Sequence, residues 1–171
     1  MSRFIPLFSR TLMGSLLLAT TVGDAGAADK SVIGWIERVS LTSQALILDA
    51  KVDTGADFSS VHAEDIRYFM RDGARWVEFV LHDRSGRKYV LHKPLERMAR
   101  IKKKTTGFQE RPVVMLQLCI GGSERSVQVN LAQRGHFKYP LLLGRNFLSE
   151  HYLVDAGAKH LLNPSCPPSS P

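Results

Sequence analysis

The run Ile47–Val52 ends by delivering an aspartate into a tight turn, Asp53-Thr54-Gly55-Ala56-Asp57. Its apolar and β-branched residues read as a strand, and each residue that follows has a physical task. A carboxylate at the end of a packed strand is held rigidly enough to serve chemistry. The Thr54 hydroxyl can brace the loop from inside. Gly55 lets another backbone, from this chain or from a bound peptide, approach where a Cβ would clash. Aspartate and glycine also build ordinary turns for local reasons, so the tripeptide alone reads most simply as a turn. A second pattern about ninety residues later changes that reading. Pro140–Leu148 runs as an apolar strand, then Gly144, then Arg145-Asn146 and a short apolar helix.

In this order and at this separation, the two motifs resemble those of the retropepsin-like aspartic peptidases. The resemblance implies an all-β fold, a closed β-barrel with a short helix after the Leu-Leu-Gly motif. In that fold the strand ending at Leu143 passes through the loop bearing the aspartate. Leu143, Gly144, Arg145 and Asn146 are then structural support. Asp53, Thr54 and Gly55 would form the catalytic loop, and Gly55, Ala56 and Asp57 would bind the backbone of a peptide substrate. Arg145 would pair with an aspartate near the site, for which Asp57 is a candidate.

The chain holds one clear Asp-Thr-Gly, so the resemblance implies a homodimer in which two copies of Asp53 flank a water. Two carboxylates that close cannot both ionise, and the pair titrates as a unit. The ionised member activates the water while the protonated one polarises the scissile carbonyl, without a covalent intermediate. A rival second carboxylate, Asp155, stands in Leu153-Val154-Asp155-Ala156-Gly157. It is expected to be a strand ending in an Asp-x-Gly turn, because it has no Leu-Leu-Gly partner of its own.

A flap must cover such a site and exclude water. By its position between the motifs, Arg100–Phe108 is the candidate, with Gly107 as a flexible tip and Lys104 beside the substrate. Viral members have a glycine-rich tip where this chain is lysine-rich. Arg97, Arg100, Lys102, Lys103, Lys104 and Arg111 would ring the cleft with positive charge, which predicts a preference for acidic, glutamate-rich peptides. A solvated loop is the ordinary alternative.

Asp53–Ala56, Trp76–Phe79, Glu110–Val114 and Tyr139–Leu148 resemble one bacterial branch in particular, over roughly Val32 to Asp155. That branch has carried the label "ATP-dependent zinc protease", and some members accompany ATP-grasp peptide ligases that add glutamates. The residues do not support the label. The chain has neither a His-Glu-x-x-His zinc site nor a Gly-x-x-x-x-Gly-Lys phosphate loop. His62, His82, His92, His136, His151 and His160 are scattered without ligand spacing. No metal and no cofactor is expected.

Residues 1–27 read as a secretory signal: Arg3 and Arg10, an apolar run over Thr11–Val22, then Ala25-Gly26-Ala27. The apolar run is short for a membrane anchor, so the expectation is cleavage, export to the periplasm and no stable membrane insertion. Cleavage would leave about 144 residues, enough for one domain, residues 28–162, with a sizeable core. It would also lower the formal charge by one from +7. A basic exported protein can meet acidic peptides, cell-wall polymers or anionic lipid. No nucleic-acid motif appears.

The body of that domain reads mostly as strands. Val32–Leu41, Ala45–Val52, Trp76–His82, Lys88–His92, Arg111–Ile120 and Ser126–Leu131 are predicted, with turns at Asp83–Gly86 and Gly121-Gly122. Tyr152–Asp155 and Lys159–Leu162 are candidate closing strands. His62–Met70 is predicted as a short helix, stopped at Arg71-Asp72-Gly73. Residues 163–171 form a polar Pro/Ser tail expected to be disordered. Export permits a Cys119–Cys166 disulfide, though spacing alone does not require one. A binding module of the same fold, holding acidic peptide or polymer without turnover, is the alternative to an aspartic endopeptidase.

Overall fold

The computed structural model describes residues 29–44, 46–102, 106–135 and 137–166. The predicted signal lies outside these residues. The elements run β1 (Ser31–Leu41), β2 (Leu46–Val52), β3 (Ser59–His62), β4 (Glu64–Arg71), β5 (Ala74–His82), β6 (Lys88–Pro94) and β7 (Arg97–Lys102). After these come β8 (Phe108–Ile120), β9 (Ser123–Ala132), β10 (Leu141–Leu143), α1 (Arg145–Leu148) and β11 (Tyr152–Lys159).

Period-two alternation builds the barrel. On β2, Leu46, Leu48, Ala50 and Val52 are buried while Ile47 and Lys51 face out. The main sheet runs β11-β1-β2-β10-β3-β9-β8-β7, and the end of β1 pairs again with β8 at Ser40–Cys119 and Leu41–Leu118. That second pairing closes β1, β2, β10, β3, β9 and β8 into a barrel with few free edges. Its core is mainly aliphatic, from Ile33 through Leu48, Val114 and Leu116 to Leu141, and includes Phe147. β4, β5 and β6 form a separate three-stranded sheet whose Val77, Phe79, Leu81 and Leu91 join the same core.

The predicted helix at His62–Met70 is instead β3 and β4. Ile66, Phe69 and Met70 do fall at helical spacing, but Phe69 and Met70 are exposed and no helical face is buried. Arg71-Asp72-Gly73 is not a helix stop. Asp72 and Gly73 both have positive φ, 51° and 74°, and join Arg71 to its partner Ala74 in a two-residue hairpin. Asp-Gly is the pair that such a turn prefers.

One strand, β11, takes the place of the two candidate closing strands. It runs parallel to β1, and the chain then crosses a fully buried carboxylate. Glu37 Oε1 accepts from Gly34 N at 2.6 Å and Leu161 N at 3.0 Å, and Oε2 accepts from Leu162 N at 3.4 Å. Three amide donors satisfy carboxyl oxygens that would otherwise be costly to bury. Cys119 and Cys166 form a disulfide, and Gly121 N donates to Asn163 O. Asn163–Cys166, the described part of the predicted tail, is therefore fastened to the barrel.

Candidate active site

Asp53 is positioned by β10. This strand lies between β2, which it pairs in parallel (Leu143 with Val52), and β3, which it pairs antiparallel. Asp53 N donates to Leu143 O at 2.9 Å, and Asp53 Oδ1 accepts from Gly55 N at 3.0 Å. The carboxylate is thereby fixed at both ends, half-buried, while Thr54 and Gly55 are exposed.

The start of α1 clasps the rest of the loop. Arg145 N donates to Ala56 O at 2.8 Å, and Asn146 N to Asp57 O at 3.0 Å. Arg145 Nη1 donates to Thr54 O at 2.9 Å, and its Nη2 pairs with Asp57 Oδ1. A planar guanidinium can make both contacts at once. Within one chain the loop is thus braced through the Thr54 carbonyl, rather than through the hydroxyl expected to do so. Asn146 Oδ1 accepts from Ser59 N and Ser59 Oγ, each at 2.9 Å, and Asn146 Nδ2 donates to Gln128 O at 2.8 Å. Ser59 Oγ in turn accepts from Gly144 N at 3.1 Å. Gly144 must be glycine here, because a Cβ would stand 2.6 Å from the Phe58 carbonyl carbon.

Asp53, Thr54, Gly55, Ala56, Asp57, Leu143, Gly144, Arg145 and Asn146 are therefore one hydrogen-bonded unit. Asp155 is not part of it. Asp155 Oδ1 accepts from Gly157 N at 2.8 Å, the same local turn as Asp53, but within β11 at an irregularity in its pairing with β1. The described ends of the flap candidate belong to the paired strands β7 and β8, with Lys102 opposite Phe108. Lys103, Lys104 and Thr105 lie outside the described residues. Gly107 is exposed at φ +81°, a conformation that favours glycine.

Of the expected basic ring, Lys103 and Lys104 lie outside the described residues. The Arg100 guanidinium lies over Phe108 and that of Arg97 over Phe58, which follows Asp57. Arg111 is partly buried, which lowers its proton affinity.

Arg134 is a further cation of this region, which the sequence reading missed. It follows β9, whose parallel pairing with β3 sets Ser60 opposite Asn130 and His62 opposite Ala132. Its backbone N donates to His62 Nδ1 at 2.8 Å and its Nη1 to Ser60 Oγ at 3.2 Å. Burial and then the Arg111 charge lower its proton affinity, and the Asp53 carboxylate opposes them. The Asp53 carboxylate thus bears on the Arg134 guanidinium. A lone arginine after a strand matches no motif. The available signal was the interleaving of Arg134 and Lys138 with Phe137 and Tyr139.

Among the described residues, no group of three His, Cys, Asp or Glu side chains is gathered as metal ligands would be. No helix among them is long and apolar enough to cross a membrane.

Residues 32–164 match the model of a family described as RimB-like, "Retropepsin-like aspartic endopeptidase RimB". The chain is 38% identical over 112 residues to a "Probable alpha-L-glutamate ligase" of Shewanella halifaxensis, covering 63% of this chain and 24% of that protein. It is 35% identical over 138 residues to a protein of the same name from Parasynechococcus marenigrum, covering 78% and 29%. The chain thus spans about a quarter of the length of these relatives. A crystal structure of a Legionella pneumophila protein of unknown function superposes with a TM-score of 0.68 at 31% identity, covering 78% of this chain and 98% of that one.

Proposed function

Because this chain belongs to the RimB-like family of retropepsin-like aspartic endopeptidases, we propose that it hydrolyses peptide bonds with a water activated between two Asp53 carboxylates of a homodimer. The observation that carries this reading is the double fixing of Asp53, by Leu143 O at its backbone and by Gly55 N at its carboxylate, beside an exposed Thr54-Gly55 edge. An exposed edge leaves room for a second copy to bring its own loop alongside. One carboxylate cannot both take a proton from water and give one to the carbonyl oxygen, whereas a pair sharing one proton can do both.

In this reading Asp57 and the Gly55 carbonyl hold the substrate backbone, Arg145 keeps Asp57 in place, and the β7–β8 hairpin covers the peptide. The substrate is an acidic peptide. Two observations support that choice: the cations near Asp53, and the relatives named for glutamate ligation, parts of which resemble this chain. Export of the protein to the periplasm belongs to the same proposal.

The test is cleavage of a diverse peptide pool from acid to neutral pH, by wild type and by Asp53→Asn, each with and without chelator. The expected result is cleavage that Asp53→Asn abolishes and chelator leaves intact. Acidic peptides that bind without being cut would favour a binding module instead, and loss of cleavage on chelation would point to a metallopeptidase.

A further inference from the structure

Lys51 precedes Asp53 by two residues at the end of β2, and side chains two apart on an extended chain project to the same side. On that side lies a cavity of about 200 Å³, lined by Trp35, Lys51, Arg134, Phe137, Lys138 and Tyr139. Three of its six lining residues are cations and three are aromatic; none is acidic.

The cations are balanced in an unusual way. The Arg134 guanidinium lies over the Phe137 ring at 4.4 Å, and Lys138 Nζ over Tyr139 at 5.6 Å. Trp35 meets Tyr139 edge-on at 6.3 Å between centroids. No ion pair to a carboxylate joins Lys51, Arg134 or Lys138 among the described residues. Ring faces attract cations far less than a desolvated carboxylate does. Of the five N–H donors of Arg134, Nη1 reaches Ser60 Oγ, and the buried Nε has no partner. Arg134 is also held from behind. His62 Nδ1 accepts its backbone N–H, which in the neutral ring leaves the proton on Nε2, facing Glu64 Oε1 at 3.2 Å.

We infer that this cavity binds a carboxylate on an apolar stem, the side chain of glutamate above all, in the residue next to the bond that is cut. The aromatic walls take the methylenes while Arg134, Lys51 and Lys138 take the charge. This inference rests on the endopeptidase reading for the position of the scissile bond. It also moves the preference for acidic peptide from the lysine-rich hairpin to a defined pocket. A terminal carboxylate offers the same chemistry as a side chain, and the test separates the two.

The probes are peptides of one sequence with a reduced, uncleavable bond at the cutting position. They carry Glu or Gln beside that bond, each with a free or an amidated C-terminus. Their binding to the full chain bearing Asp53→Asn is read by fluorescence anisotropy, alone and combined with Arg134→Gln or Lys138→Gln. The Glu peptide is expected to bind about tenfold more tightly than the Gln peptide, as one charge-assisted contact would give. Either variant should bring that ratio close to one. Lys138 is exposed, so its variant carries the test if Arg134→Gln does not fold.

An advantage that follows the free C-terminus rather than Glu would support carboxylate binding but assign it to the chain end. Equal binding of all four peptides, or a Glu preference that survives both variants, would overturn the inference. Binding is read here without turnover. Failure of wild type to cut any peptide would sink the endopeptidase reading and leave the pocket to be judged by its own ratio.

Discussion

Arg145 closes the loop that bears Asp53 by pairing with Asp57, eighty-eight residues away in sequence, while its other terminal nitrogen holds the Thr54 carbonyl. Both side chains are well exposed, 49% and 73%. Exposed ion pairs contribute only ~0–1 kcal/mol to stability, so the importance of this pair lies in geometry.

Arg145→Lys keeps the charge and loses the planar fork. The melting temperature should barely move while kcat/KM on a cleaved peptide falls by about tenfold or more, as misplaced binding groups lead one to expect. Thermal unfolding run beside steady-state kinetics checks the split. A large loss of stability with intact kcat/KM would contradict it.

Gly144→Ala should act in the opposite way. Its Cβ would meet the Phe58 backbone rather than a side chain that can swing aside. Overpacking of this kind costs roughly 1–3 kcal/mol, which a urea titration would read as a lower midpoint at unchanged slope.

Asn146 distinguishes acceptor from donor. Asn146→Ala leaves Ser59 N and the Gln128 carbonyl without their partners, at a cost of about 1–3 kcal/mol. Asn146→Asp keeps the acceptor for Ser59 and loses only the donor to Gln128 O. Equilibrium unfolding should therefore rank wild type above Asp and Asp above Ala.

Reduction of the Cys119–Cys166 bridge frees a loop closed over a separation of 47 residues. Chain-entropy reasoning puts the loss at up to about 4 kcal/mol. Thermal unfolding with and without reductant should show the wild type dropping and Cys166→Ser indifferent to reductant.

Asp83 provides a pH test away from the site. The Ser85 hydroxyl, helped by the amides of Arg87 and Ser85 and by the Tyr89 hydroxyl, holds its carboxyl below the usual 3.8 against the opposing effect of burial. A depressed folded value means that the stabilisation is complete above the unfolded value and disappears as pH falls through the folded one. The β5–β6 hairpin should therefore loosen only in acid below the usual aspartate range. Asp83→Asn should remove that dependence in amide exchange measured across the acid limb.

How much could be read in advance depended on how local each cause was. Asp53-Thr54-Gly55, Gly144, Arg145 and Asn146 were legible because they sit in two short motifs whose order and separation resemble those of a known family, although their hydrogen bonds run between the motifs. The strands β5, β6, β8 and β9 were legible through alternation and their turns, whereas β7, in a lysine- and arginine-rich stretch, was not. His62–Met70 was misread because apolar residues at helical spacing count only if that face is buried, and here β5 takes the backbone hydrogen bonds while Phe69 and Met70 stay outside.

By itself, then, the sequence determined five of the six barrel strands, β1, β2, β8, β9 and β10 but not β3, and the turn that bears the aspartate. These follow from side-chain periodicity and from backbone freedom, which act over a few residues. Only the tertiary structure decided that Cys119 meets Cys166, that Glu37 is buried under the returning chain, and that Arg134 and Lys51 line one cavity. Each of those depends on the register between strands far apart in the chain. Register is set by packing of the whole core, a property that no short stretch of residues carries.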